Sequence, residues 1–411
     1  MFVLKPLIHR PIALLWTGQV LAATGSEFYM VAVVWVAADL IGKDAGYLSA
    51  LQAGGLLAGS LFGGVVTDRW RHGTTMIAAD LVRAALVLTL SVAGLFHAMS
   101  LPLLVAIAGS VSLMTASFDP SLQATLPVLA PDPPLRHATN GLFDATKRMA
   151  RIVGPSLIAL VNGVLPTGQF FTVTAATFLL SALAVRAVTR RLAVEPPHRA
   201  ETGAAAVIDS VVGGFRAVRG HPVVIYGLVA GLIANGTWAL GYLLGMVLYL
   251  RQTSADPLTS YGLMMMAYGT GNLASNLVLA SLGPGRPALR LVASKIIFGL
   301  GILLLPLGHG QAWLMVVAGC AAINGPLGDL SMLHLLQTCF PPHRLAQVYR
   351  MQMCTVFAGM FAAYLIAPAL FGLFGLAPTI VGAGVATVLS GLAGLGFFTW
   401  RRYGGTAANP A

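Results

Sequence analysis

Ionisable side chains are rare in this sequence, and their positions decide what chemistry they can do. Glu27 sits in a long apolar stretch with no basic residue one helical turn away. A carboxyl so placed can exchange a proton or hold a cationic group of a bound molecule; it can equally be hydrogen-bonded to neighbouring helices or wetted by outer water. Asp329 and Lys295 are the only charges well inside the apolar stretches of the second half. Asp329 is therefore either a second proton site or the counter-charge of that lysine. Asp80 and Arg83 are three residues apart, on one face of a helix and able to pair. Asp144, Lys147, Arg148 and Arg151 form a denser group. Asp144 and Arg148 have i,i+4 spacing, so surplus positive charge is left for Asp119, Asp68 or an anionic part of a ligand.

These groups make no catalytic constellation. There is no phosphate-binding glycine loop, no His-Glu-x-x-His motif, no paired carboxylates and no sizeable polar catalytic loop. A polytopic membrane enzyme would need one of these, and a channel would need a filter-like repeat. Cys320, Cys339 and Cys354 form no Cys-x-x-Cys pair and read as free thiols. No catalytic residue, metal site or cofactor is expected.

The elements that position the charges follow from where charge is absent. Apolar residues make up 57% of the 411 and charged residues 9%, against roughly 25% charged in soluble domains. So few charges cannot clothe a soluble globule, which excludes a soluble enzyme, a disordered chain and a cytosolic nucleic-acid binder. No charge falls between Asp44 and Asp68, Arg83 and Asp119, Arg151 and Arg186, or Met351 and Trp400. A bilayer crossing takes about 20 apolar residues as a helix, so the longer gaps are helical hairpins. Turn signals break them at His97–Pro102, Pro166–Gly168, Gly308–Gly310 and Gly375–Pro378. Lipid offers the backbone no partner, and period-2 alternation is missing, so the crossings are helices and not a β-barrel. Twelve are expected, at about 11–38, 46–67, 74–97, 101–126, 138–163, 168–190, 222–249, 259–281, 289–308, 311–337, 346–371 and 376–400. The first has no small-residue cleavage site after it and reads as retained.

With the N-terminus inside, 17 of the 24 Lys and Arg fall on inner segments and only Lys43 and Arg251 on outer turns. This is the positive-inside pattern, with both termini cytoplasmic. The net charge of +11 is thus a topology device and not a nucleic-acid signature. Residues 191–221 form the longest inner connection and separate two six-helix halves, 1–190 and 222–411. Within it, 204–219 is weakly amphipathic, as a helix lying at the inner interface would be. Pro120-Ser-Leu-Gln123 and Pro326-Leu-Gly-Asp329 occupy matching places about half a chain apart, a faint internal repeat.

Gly63-Gly64-Val-Val-Thr-Asp68-Arg69-Trp-Arg71-His-Gly73 resembles the loop motif of the major facilitator superfamily. Ala150-Arg151-Ile-Val-Gly154-Pro155 resembles its Gly-Pro motif associated with antiporters. Leu15-Trp-Thr-Gly-Gln19, Asp80-Leu-Val-Arg83 and Pro120–Pro127 look like the bacterial subgroup of the enterobactin exporter and macrolide-efflux-type proteins. The loop departs from the pattern in having Arg71-His-Gly for the commoner basic pair, and the connection at 283–287 lacks the acidic half of the motif. The resemblance implies an all-α polytopic fold of twelve transmembrane helices in two pseudo-symmetric halves, in a bacterial inner membrane. It implies a secondary active transporter, a monomer, working by alternating access. Proton-driven export of a small amphipathic molecule, such as a drug, siderophore or other metallophore, is the leading reading; an importer on the same fold is the alternative. Gly64, Asp68, Arg69 and Arg71, with Asp80 and Arg83 behind them, would form a latch that exists in one conformation and breaks in the other. Substrate would meet uncharged polar residues: Gln19, Tyr29, Gln52, Asn235, Trp238, Tyr242, Asn272, Asn276 and Asn324. Such residues equally serve as glue between helices.

Overall fold

The computed structural model describes residues 2–67, 71–161, 164–189, 212–281 and 285–404. All regular structure among them is helical. The chain divides into two compact units, Met1–Asp209 and Ser210–Ala411, a division that falls inside the polar connection 191–221.

In the first unit a 3-10 stretch, Phe2–Ile8, leads into α1 (Arg10–Ile41), α2 (Ala45–Thr67), α3 (His72–Leu95), α4 (Leu101–Leu129), α5 (Pro133–Val161) and α6 (Phe170–Thr189). In the second, residues 212–218 are helical and place Val218 in the core. They precede α7 (Pro222–Trp238), a π-helical segment (Ala239–Gly245), α8 (Met246–Thr253), α9 (Pro257–Ser281) and α10 (Pro287–Leu304). Then follow α11 (Gln311–Ala321), α12 (Asn324–Cys339), α13 (Pro342–Phe374) and α14 (Leu376–Gly404). Of the stretch 204–219, expected to form an interfacial helix, residues 212–218 are helical; residues 190–211 lie outside the described residues.

Proline opens α1, α4, α7, α10 and α13 within the first two residues, where a missing N–H removes no hydrogen bond. Gly42 (φ 55°) and Gly375 (φ 85°) end α1 and α13 in a backbone region that side chains disfavour. All four turn signals in the charge-free gaps fall where helices end.

Nine stretches among the described residues are long and apolar enough to cross a membrane, the first, Arg10–Leu61, running over α1 and α2. Helices α5 and α9 are not in this set, since α5 carries the charge cluster and α9 is rich in Ser, Thr and Asn.

Within each unit the helices pair in the same order. In the first, α1 packs on α5 and α6, α2 on α4, and α3 on α4 and α6. In the second, α7 packs on α13 and α14, α9 on α11, and α10 on α12 and α14. Small residues make these seams close, as they do where lipid provides no hydrophobic drive. A β-carbon at Gly59 would strike Ala116 across α2 and α4, and one at Gly236 would come within 2.9 Å of the Gly359 carbonyl across α7 and α13. At the α10–α14 seam, a β-carbon on Gly299 would lie 2.7 Å from the Gly384 carbonyl.

Two elements differ from the uninterrupted helices expected at 222–249 and 311–337. The first contains the π segment Ala239–Gly245. The second breaks at Ala322–Ile323, between α11 and α12. Pro326 explains that break: it has no N–H for the Ala322 carbonyl four residues earlier, and its ring crowds that oxygen. The carbonyl instead accepts from Gly325 N (3.2 Å) and from Asn272 Nδ2 of α9 (3.3 Å).

Candidate functional site

Glu27 is half-buried on α1, beside the fully packed Phe28. Neighbouring helices close in on both sides of it. Thr174 of α6 donates to the Gly25 carbonyl (3.3 Å), and a β-carbon on Gly25 would collide with Thr177. From α5, Gly154 approaches so closely that a β-carbon there would sit 2.6 Å from Glu27 Cβ and 3.3 Å from the Thr24 carbonyl. Lower on the same seam, Trp16 Nε1 donates to Thr146 Oγ1 (2.7 Å). Glu27 thus stands where α5 and α6 both pack closely on α1, and the Gly-Pro motif supplies the glycine that lets α5 in.

Asp80 and Arg83 form a fully buried ion pair on α3. Arg83 Nη1 also donates to Thr115 of α4 (3.3 Å), and its guanidinium lies over the rings of Phe118 (4.8 Å) and Phe178 (4.4 Å). One arginine therefore joins α3, α4 and α6, with cation–π attraction added to the ion pair. Asp80 Oδ2 and Arg83 Nε have no hydrogen-bond partner among the described residues.

Of the α5 charges, Lys147 takes Asp119 of α4, Nζ to Oδ1 3.0 Å, with both side chains well exposed. The side chains of Asp144, Arg148, Arg151 and Pro155 lie outside the described residues, as do Asp68, Arg69 and the surroundings of Gly64. Of the expected latch, Arg71 is seen at the N-terminus of α3, its carbonyl accepting from Thr75 N (3.0 Å).

In the second unit Lys295 of α10 is buried and in electrostatic contact with Asp329 of α12, which is exposed. The polar residues fall into three kinds. Gln19 and Tyr29 are buried, with Gln19 Oε1 and the Tyr29 hydroxyl lacking a partner among the described residues. Gln52 and Asn276 are half-buried, and Asn235 Nδ2 donates to Gly231 O of its own helix (2.8 Å). Trp238, Tyr242, Asn272 and Asn324 gather at the helix breaks of the second unit, where Tyr242 is fully buried and meets other rings, not open space.

Nothing in the sequence announces Thr115, Phe118, Phe178 or Phe298. Apolar residues on apolar helices carry no signal of what they touch; for Phe298, its place one turn from Lys295 was the available hint.

The Major Facilitator Superfamily model matches residues 15–364. The chain belongs to that superfamily. It is 24% identical over 398 residues to "Multidrug efflux pump Tap" of Mycolicibacterium fortuitum, covering 93% of this chain and 94% of that one. It is 28% identical over 153 residues to "Macrolide efflux protein A" of Streptococcus pyogenes, covering 36% of this chain and 37% of that one. These relatives place it with the macrolide-efflux-like branch, as a multi-pass membrane transporter. Among solved structures, a POT family transporter in complex with a thioalcohol-conjugated peptide aligns with TM-score 0.74 at 13% identity, over 95% of this chain and 96% of that one. A structure of a POT family transporter in complex with 5-aminolevulinic acid aligns with TM-score 0.75 at 12% identity, over 94% of this chain and 96% of that one. At such identity the likeness shows the fold alone.

Proposed function

We propose that this superfamily member is a proton-coupled exporter of small amphipathic molecules in a bacterial inner membrane. The observation that carries the reading is the match to a multidrug efflux pump over nearly the full length of both chains; the fold likeness to peptide transporters bears on neither direction nor substrate. In this reading the chain crosses the membrane twelve times with both termini inside, and acts as a monomer. Two halves, 1–190 and 222–411, joined by 191–221, open a substrate site to each side in turn.

Glu27 is the proton carrier. Glu27 is half-buried where α1, α5 and α6 pack closely, so a change in its ionisation alters the electrostatics of all three helices together. Binding a proton from outside favours release of substrate, and losing it inside favours substrate binding; this reciprocity is thermodynamic linkage. Asp329 serves as counter-charge to Lys295. Asp68, Arg69 and Arg71 act as the latch, with Asp80 and Arg83 as its rigid backing.

The test is uptake of a labelled macrolide or flat aromatic drug into inverted vesicles with an imposed inside-acid gradient. Wild-type protein accumulates the compound, and Glu27→Gln equilibrates it without accumulation. Full gradient-driven accumulation by Glu27→Gln would overturn the proton role; gradient-driven efflux from inverted vesicles by wild type would overturn export.

A further inference from the structure

The second unit breaks its helices at two points, and one tyrosine joins them. Trp238 is the last residue before the π segment, and Asn324 is the first residue of α12 after the turn at Ala322–Ile323. The Tyr268 ring of α9 lies 4.7 Å from that of Trp238, and Asn324 Nδ2 donates to the Tyr268 hydroxyl (3.3 Å). Beneath them Tyr242 stacks on Trp238 (4.7 Å, 25°) and on Phe298 (5.8 Å, 14°). Tyr242 and Phe298 are buried, whereas Trp238 and Tyr268 keep part of their surface open.

Lipid is a poor explanation of that open surface. Trp238 falls near the middle of the span Pro222–Thr253, whereas tryptophan favours the membrane–water boundary, where its N–H can be satisfied. Trp16 and Trp313 both donate their indole N–H, to Thr146 and to the Leu304 carbonyl; that of Trp238 has no such acceptor among the described residues. Irregular backbone at membrane depth is tolerated where it is buried in protein or lines a polar cavity, and a π segment often marks a functional position. Here two such breaks meet around one half-open indole, with an amide and a hydroxyl beside it.

Building on the transporter reading, we infer that Trp238, Tyr268 and Asn324 form a stacking subsite for a flat aromatic group of the transported molecule, one that carries a hydrogen-bond acceptor. The indole and phenol faces hold the ring, and the indole N–H donates to the acceptor. Tyr242 and Phe298 stiffen the platform from below. A puckered saturated ring brings less of its surface against these faces and no π-system of its own, so the subsite favours flat substrates.

Acridone, flat and fluorescent with one carbonyl acceptor, is the probe, and erythromycin is the non-aromatic comparison. Acridone binding to the purified full-length protein is followed by anisotropy, and transport of both compounds in inverted vesicles. Trp238→Ala should weaken acridone binding about tenfold, and Trp238→Phe, which keeps a ring but loses the N–H, about threefold. Erythromycin uptake should change less than twofold in both. Trp313→Phe, away from the cluster, should leave acridone binding unchanged. Should Trp238→Ala fold poorly, Trp238→Phe and Tyr268→Leu decide the matter on the same readout. Unchanged acridone affinity in these variants, or equal losses for both compounds, overturns the subsite. So does a wild-type protein that exports erythromycin yet ignores acridone, which leaves the exporter reading standing. Conversely, Trp238-dependent acridone binding with no uptake of either compound supports the subsite and counts against export.

Discussion

Gly154 of α5 and Glu27 of α1 meet with no room for a methyl group between them: a β-carbon on Gly154 would lie 2.6 Å from Glu27 Cβ and 3.3 Å from Phe28 N. Two of the nearest atoms belong to the α1 backbone, which cannot swing aside. Gly154→Ala should therefore force the helices apart, costing about 1–3 kcal/mol. The expected result is a melting temperature several degrees lower in detergent, with gradient-driven uptake at least halved. Adding Glu27→Gly removes the colliding carbon and should recover part of the stability but none of the coupling. A Gly154→Ala protein as stable and active as wild type would mean that the seam opens freely.

The Asp80–Arg83 pair gives a sharper stability test. Removing one member of a buried pair leaves the other charged and unmatched, at about 3–5 kcal/mol, whereas replacing both by apolar groups is often tolerated. Asp80→Ala and Arg83→Ala should each sharply reduce the amount of folded protein recovered. Asp80→Leu with Arg83→Met should be closer to wild type than either, since methionine can still lie against Phe118 and Phe178. If the double variant melts as low as the two single losses added together, the pair is not the structural joint described.

How much of this was legible in the sequence depends on the kind of feature. Charge gaps revealed helices because lipid punishes charge wherever it falls, and glycine and proline marked turns because their backbone limits are local. The spacing of Asp80 and Arg83 revealed their pairing for the same local reason. Partners across helices were another matter. Nothing near Arg83 announces Thr115 or Phe178, which lie 32 and 95 positions further on and meet it only through packing. The π segment was invisible too, since Ala239–Gly245 is as apolar as the helix around it. Pro326, by contrast, is visible in the sequence, but its place in a faint repeat says nothing of a break four residues earlier.

Lys295 and Asp329 separate a counter-charge from a proton site. A buried lysine deprived of its acid is destabilised, so Asp329→Asn should lower the melting temperature. Lys295→Gln added to it should restore most of the loss, because no uncompensated charge remains. The double variant should also retain gradient-driven uptake. Loss of accumulation in a stable double variant would give Asp329 the proton role instead.

The break at Ala322 can be taken apart atom by atom. Pro326 withholds the hydrogen bond that would continue the helix, and Asn272 of α9 reaches the Ala322 carbonyl at 3.3 Å in its place. Asn272→Leu removes that donor and leaves the carbonyl with Gly325 N alone; loss of one such half-buried hydrogen bond costs about 0.5–1.5 kcal/mol. Pro326→Ala returns an N–H to the helix, which can then close over Ala322. Combined, the two changes should bring stability back to within about 0.5 kcal/mol of wild type, since the N–H at 326 replaces the donor that was lost. Transport should not recover with it. Closing the turn re-aims Asn324, the first residue of α12, and with it the donor that holds the Tyr268 hydroxyl. Thermal unfolding and vesicle uptake measured on the same preparations check both halves of the expectation. A double variant that is stable and also fully active would show that the break is tolerated by the fold and unused by the transporter.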